Sequence, residues 1–119
     1  MSQRNFRIDY IEFNVTDMEK AKAFYTSAFG WKFTDYGPGY AGIQGDEREQ
    51  GGFALVDEVK RGGPLVVLYA EDLEASFAAV KEAGGEIVKD IFTFPGGKRF
   101  QFLDPSGNEL AVWTETSGH

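Results

Sequence analysis

The chain has 119 residues and a net charge of −7, with 12 basic side chains scattered among 19 acidic ones. That balance excludes the basic stripe with which a nucleic-acid binder displaces counterions from phosphate, and it gives no attraction to an anionic membrane surface. A hydrophobic content of 42%, with 11 Phe, 5 Tyr and 2 Trp, is enough to build the core of one ordinary domain, and the absence of cysteine rules out disulfides and Cys-zinc sites.

No apolar run approaches the roughly 20 residues of a membrane helix. Met1 to Arg7 is polar, without the apolar stretch of a signal peptide, so a cytoplasmic location is expected. Residues 8–16 alternate: Ile11, Phe13 and Val15 fall on one face, Tyr10, Glu12 and Asn14 on the other, as in a half-buried strand. Asp17 is placed to cap a helix, and Met18, Ala21, Phe24, Tyr25 and Ala28 recur at helical spacing up to a left-handed stop at Gly30. Short strands are expected at Trp31–Tyr36, Tyr40–Gln44 and Gly52–Val56, with turns at Pro38-Gly39 and across the polar stretch 45–51.

After Gly62-Gly63 the order returns. Leu65–Ala70 reads as a strand and Asp72 as a second cap. Leu73, Phe77, Val80 and Ala83 form a buried helical stripe that stops at Gly84-Gly85. Strands follow at Glu86–Thr93, Lys98–Leu103 and Glu109–Trp113, separated by turns at 95–97 and 104–108, and Thr114–His119 reads as a frayed end. Asp17 and Asp72 are 55 residues apart, and at that offset Glu19 meets Glu74, Ala28 meets Ala83 and Gly30 meets Gly85. The reading is a single α+β domain over 1–119, made of two tandem βαβββ modules at about 6–58 and 64–114, with curved mixed sheets around a cleft and helices on the outer face.

With that geometry the expected cleft residues are Tyr10, Glu12, Tyr40, Leu65, Tyr69, Phe102, Ala111 and Trp113. In the last strand Leu110 and Val112 pack toward the helix and Glu109, Ala111 and Trp113 face the cleft. Glu12 is the candidate acid–base residue, weighed against a plain structural carboxylate. Phe92 and Phe94 flank the Pro95 turn as a rim. In the Asp104–Asn108 turn, Pro105 suits the first corner and Gly107 a positive φ, so its role is structural. The only histidine is His119, which leaves no Ser–His or Cys–His nucleophile and no histidine base within the domain.

The phrase YIEFNVTDMEKAKAFYTSAFGW at 10–31, EDLEASFAAVKEAGG at 71–85 and FQFLDPSGNELAVW at 100–113 resemble the vicinal oxygen chelate superfamily, the glyoxalase, bleomycin-resistance and extradiol-dioxygenase group. The resemblance implies the fold but no single activity, since the superfamily hosts several chemistries as well as plain binders. Its metal ligands would fall at Tyr10, Leu65 and Ala111, with a fourth in or near 51–55, which offers no side-chain ligand. Leu and Ala cannot coordinate, so no metal and no cofactor are expected. The leading reading is a metal-free protein that binds a small, partly apolar organic molecule, with Glu12 and the acidic balance favouring a cationic one. Two alternatives stay open: a lyase- or isomerase-type enzyme using a carboxylate base or a non-standard metal site, and an accessory domain with a vestigial pocket. By analogy with the family a homodimer is expected, which a monomeric mass in light scattering would contradict.

Overall fold

The computed structural model describes residue 5 and residues 8–116, so His119 lies outside the described residues. The first half runs β1 (Ile11–Val15), α1 (Met18–Phe29), β2 (Phe33–Asp35), β3 (Tyr40–Gln44) and β4 (Glu49–Leu55). The second runs β5 (Val66–Tyr69), α2 (Leu73–Glu82), β6 (Glu86–Phe94), β7 (Gly97–Leu103) and β8 (Glu109–Glu115). Each half folds its strands into one four-stranded sheet, in the orders β1-β4-β3-β2 and β5-β8-β7-β6, so the repeated βαβββ order is also a repeated topology. In both, the first strand crosses over the helix to pair parallel with the last, and the other pairs are antiparallel. The two mixed sheets do not close on each other.

The helices begin as their caps require. Asp17 and Asp72 are extended and accept from the N–H groups of Lys20 and Ala75, each at 3.0 Å. Gly30 ends α1 at φ 75°, where only a residue without Cβ sits unstrained. Met18, Ala21, Phe24 and Tyr25 bury one face of α1, and Leu73 and Val80 bury that of α2. Phe13 and Val15 face the helix as expected, whereas Ile11, at the start of its strand, is 38% exposed.

One core joins the halves. Phe24 and Phe29 of α1 reach Phe102 of β7, with ring centroids 5.9 Å apart in both pairs, and Phe77 of α2 meets Phe100 edge-on at 5.1 Å. Trp31 stacks on Tyr25 at 4.7 Å beneath the first helix. The Asp104–Asn108 turn ties the second half to the first. Asp104 is buried and accepts from the Tyr25 hydroxyl at 2.8 Å, Ser106 Oγ accepts from the Thr16 N–H at 2.9 Å, and Asn108 Nδ2 donates to the Asn14 carbonyl at 2.7 Å. Gly107 takes φ 97°, so the turn is structural, as expected.

Several strand ends differ from the sequence reading by one to three residues, and two of these shifts have structural consequences. Strand β8 continues through Thr114, which is buried, and Glu115, because β7 pairs with it as far as Gly97 opposite Glu115. Strand β4 begins at Glu49, inside the stretch read as a turn, and carries a register irregularity against β3.

Candidate functional site

On the first sheet the alternation of β3 and β4 sends Ala41, Ile43 and Phe53 into the core and leaves Tyr40, Gly42 and Gly52 on the opposite face. Regular pairing would carry that parity to Gln50. The register irregularity instead sets Glu49 opposite Gln44, with Gly51 opposite Ile43, so one residue, Gln50, is extra on β4. This is a β-bulge, and it turns the Glu49 side chain onto the face opposite the core.

There Glu49 bonds two tyrosines, and a third joins through Tyr10. The Tyr10 hydroxyl donates to Oε2 at 2.8 Å, the Tyr36 hydroxyl donates to Oε1 at 2.6 Å, and the hydroxyls of Tyr10 and Tyr40 lie 2.7 Å apart. The rings of Tyr36 and Tyr40 stand 6.3 Å apart. The cluster lies flat against the sheet because two cross-strand partners, Gly42 and Gly52, have no side chains. A Cβ at Gly42 would collide with the Glu49 carboxylate, and one at Gly52 with the Tyr40 hydroxyl.

The electrostatics of the cluster follow from its bonds. Hydrogen bonds from Tyr36 and Tyr10 hold the Glu49 carboxyl below the usual carboxylate range. Removal from water, then its bonds with Tyr40 and Glu49, push the Tyr10 phenol far above its ordinary value. The bond to Glu49 raises Tyr36. Burial raises Tyr40, and the nearby Glu12 carboxylate adds to that, outweighing an opposite pull from Tyr10. At neutral pH the site therefore carries ionised Glu49 among neutral phenols.

A cleft of about 500 Å³ runs along β1, where the halves meet. Its lining includes Glu12, Asn14, Leu65, Gln101 and Glu109 under the connecting segment 60–64. Glu109 accepts from Arg61 at 2.8 Å and from Gln101 at 2.7 Å, and those two bonds keep its carboxyl below the usual range. Glu12 lines this cleft and also lies beside Tyr40, so it joins the cleft to the tyrosine cluster.

The residues expected to share one cleft thus separate. Tyr10 and Tyr40 meet at their hydroxyls, with Tyr10 bonded on to Glu49, while Glu12 and Leu65 line the cleft. Tyr69 and Trp113 form an edge-to-face pair at 5.5 Å on the second sheet, and Tyr69 borders a further cleft of about 450 Å³ beside Trp31. Ala111 is fully buried, in register with Val67 and Gln101. Phe102 is no cleft residue: it is fully buried in the core, because it shares strand parity with Phe100, and Arg99 and Gln101 take the other face. The rim pair Phe92 and Phe94 is 6.4 Å apart, and the Arg99 guanidinium lies over both rings, at 5.4 and 5.8 Å. Sequence reasoning missed Glu49 and Tyr36. The available signal was the glycine pair, Gly42 and Gly52, which strips two adjoining strands of side chains on one face.

The metal positions implied by the resemblance do not fit a metal. Leu65 and Ala111 have no donor atom, and among the described residues no group of three or more His, Cys, Asp or Glu side chains is placed to hold an ion. No helix of the described residues is long and apolar enough to cross a membrane.

Comparison with known proteins agrees with this architecture. The family model described as Glyoxalase/Bleomycin resistance protein/Dioxygenase superfamily matches residues 7–112. A glyoxylase-like domain-containing protein of Didymella fabae is 31% identical over 121 residues, covering 91% of this chain and 93% of that one. The chain spans only 44% of another relative, CFP32 of Mycobacterium bovis, at 27% identity. A glyoxalase-related enzyme from Fulvimarina pelagi shares the fold with a TM-score of 0.79 at 19% identity, over 92% of this chain and 88% of that one. TnmS3, an antibiotic binding protein from Streptomyces sp. CB03234, does so with a TM-score of 0.70 at 23% identity, over 97% of this chain and all of that one. The paired four-stranded sheets, the capped helices and a family match across nearly the whole chain lead to one conclusion: the chain belongs to the glyoxalase/bleomycin resistance protein/dioxygenase superfamily.

Proposed function

We propose that this single domain, its two modules at about 6–58 and 64–114, binds a small, partly apolar organic molecule on its concave faces without the superfamily's usual metal. The observation that carries the reading is the state of the metal positions. Leu65 and Ala111 are inert, and the Tyr10 oxygen is engaged by Tyr40 and Glu49. An antibiotic binding protein among the proteins of like fold supports binding as a use for this scaffold. The open cleft of about 500 Å³ argues against a vestigial pocket plugged by its own side chains.

Acid–base catalysis by the cluster finds no support in its electrostatics. The phenols are harder to ionise than free tyrosine and Glu49 is harder to protonate than free glutamate, so neither is tuned toward proton transfer at neutral pH. Pairing into a homodimer belongs to the same proposal. The radius of gyration, 15.0 Å, exceeds the roughly 13.5 Å expected for a compact chain of this length, in keeping with concave faces left open for a second copy to cover.

The test is calorimetry on chelator-stripped protein with Zn²⁺, Ni²⁺, Mn²⁺ and Fe²⁺, beside a thermal-shift screen of small organic molecules. The expected outcome is weak, non-stoichiometric metal association together with screen hits. A hit present at 100 times its Kd adds about 2.7 kcal/mol of stability. Tight stoichiometric metal binding would overturn the metal-free reading.

A further inference from the structure

We propose that Tyr10, Tyr36, Tyr40 and Glu49 form a receptor for the protonated amine of a small organic ligand whose body lies toward the adjoining cleft. The proposal rests on the small-molecule reading above and names the chemical group that the site takes. Four observations converge on it. Glu49 is ionised, and each of its oxygens has spent only one acceptor site on a phenol. Among the described residues no lysine or arginine pairs with Glu49 or Glu12; the ion pairs of Lys22, Arg48, Arg61 and Lys98 go to other carboxylates. The bulge at Gln50 and the bare glycines at 42 and 52 gather the group on the sheet face opposite the core. Glu12, a second carboxylate, leads from Tyr40 into the cleft.

Physical chemistry then selects the guest. A carboxylate with no cation paired to it among the described residues attracts a positive charge, and the negative faces of aromatic rings favour the same sign. The free lone pairs of Glu49 and the phenol oxygens accept hydrogen bonds, which a primary ammonium can donate and a neutral hydroxyl matches only in part. A metal ion is not the guest, because one carboxylate among neutral, hard-to-ionise phenols is not a coordination sphere. The phenols hold Glu49 in place before the ligand arrives, so little ordering cost falls on binding.

Benzylammonium chloride is the probe and benzyl alcohol its neutral counterpart, both titrated by ligand-observed NMR. Wild-type protein is expected to bind benzylammonium at least tenfold more tightly than benzyl alcohol. Glu49→Gln should remove that preference. Gly42→Ala keeps all four side chains but puts a methyl where the carboxylate lies, and should weaken benzylammonium in the same direction. Affinity should also fall as pH drops through the lowered Glu49 pKa, and that fall should move to higher pH in Tyr36→Phe, which loses one of the bonds that lower it. Equal binding of the two probes, no benzylammonium binding up to about 10 mM, or a Glu49→Gln affinity within twofold of wild type would each overturn the receptor. The two readings fail separately. Screen hits together with benzylammonium bound equally by wild type and Glu49→Gln keep small-molecule binding and remove the amine receptor, whereas tight stoichiometric metal binding with the benzylammonium preference intact removes the metal-free reading and keeps the receptor.

Discussion

At Asp104 a single carboxylate holds together a turn and the joint between the two halves. It accepts from the Tyr25 hydroxyl, from the N–H groups of Ser106 and Asn108, and from the Asn108 side chain. Asp104→Ala strands a buried phenol and two turn N–H groups, so a loss of about 3 kcal/mol or more is expected in urea unfolding. Tyr25→Phe removes only the donor and should cost about 1.5–3 kcal/mol, the range for a hydrogen bond to a charged group. The pH dependence has a defined sign. Burial first, then the charge and hydrogen bond of Asp104, raise the Tyr25 pKa well above its ordinary value. Its stabilisation is therefore complete below the ordinary tyrosine value near 10 and declines above it, where the unfolded phenol ionises and the folded one does not. Tyr25→Phe should remove that share of the alkaline loss, and an unchanged alkaline limb would contradict it.

Helices and strands depend on signals of different reach. Both helices were legible because a cap is a local event: Asp17 and Asp72 each bond an N–H three residues on. Asp17→Ala and Asp72→Ala should each cost about 1 kcal/mol, read as a lower urea midpoint with an unchanged slope. Strand β4 was half legible. Residues 45–51 are polar and glycine-rich, as turns are, yet Glu49 pairs with Gln44 because β3 offers it a partner. A bulge is a property of two strands together, so no alternation within β4 announces it. The placement of Phe102 is the converse case. Its signal was present, since Phe100 and Phe102 alternate with Arg99 and Gln101, and the aromatic ring was read as cleft lining where parity places it in the core.

Across the whole molecule, the continuous core predicts that the halves unfold together. Phe24 and Phe29 of the first half pack on Phe102 of the second, and Tyr25 bonds Asp104 across the joint. Trp31 reports on the first half and Trp113 on the second, so variants keeping one tryptophan each should show coincident urea transitions. Phe102→Ala should lower both together, by about 3–5 kcal/mol. Two separated transitions would show that each module is stable alone.

The sequence by itself determined the α+β class, the doubled βαβββ order, the helix ends and the structural role of the Asp104–Asn108 turn. Those follow from composition, period and turn chemistry, which are local or repeat at a fixed offset. Only the tertiary structure decided that Tyr10 and Tyr36 converge on Glu49 with Tyr40 joined through Tyr10, and that Glu12 links them to the cleft. Residues 10 and 49 meet because β1 pairs parallel with β4 across an intervening helix, and a one-residue bulge selects which side chain faces them. The register of distant strands is fixed by burying the best set of side chains over the whole sheet, a condition no short stretch of the chain contains.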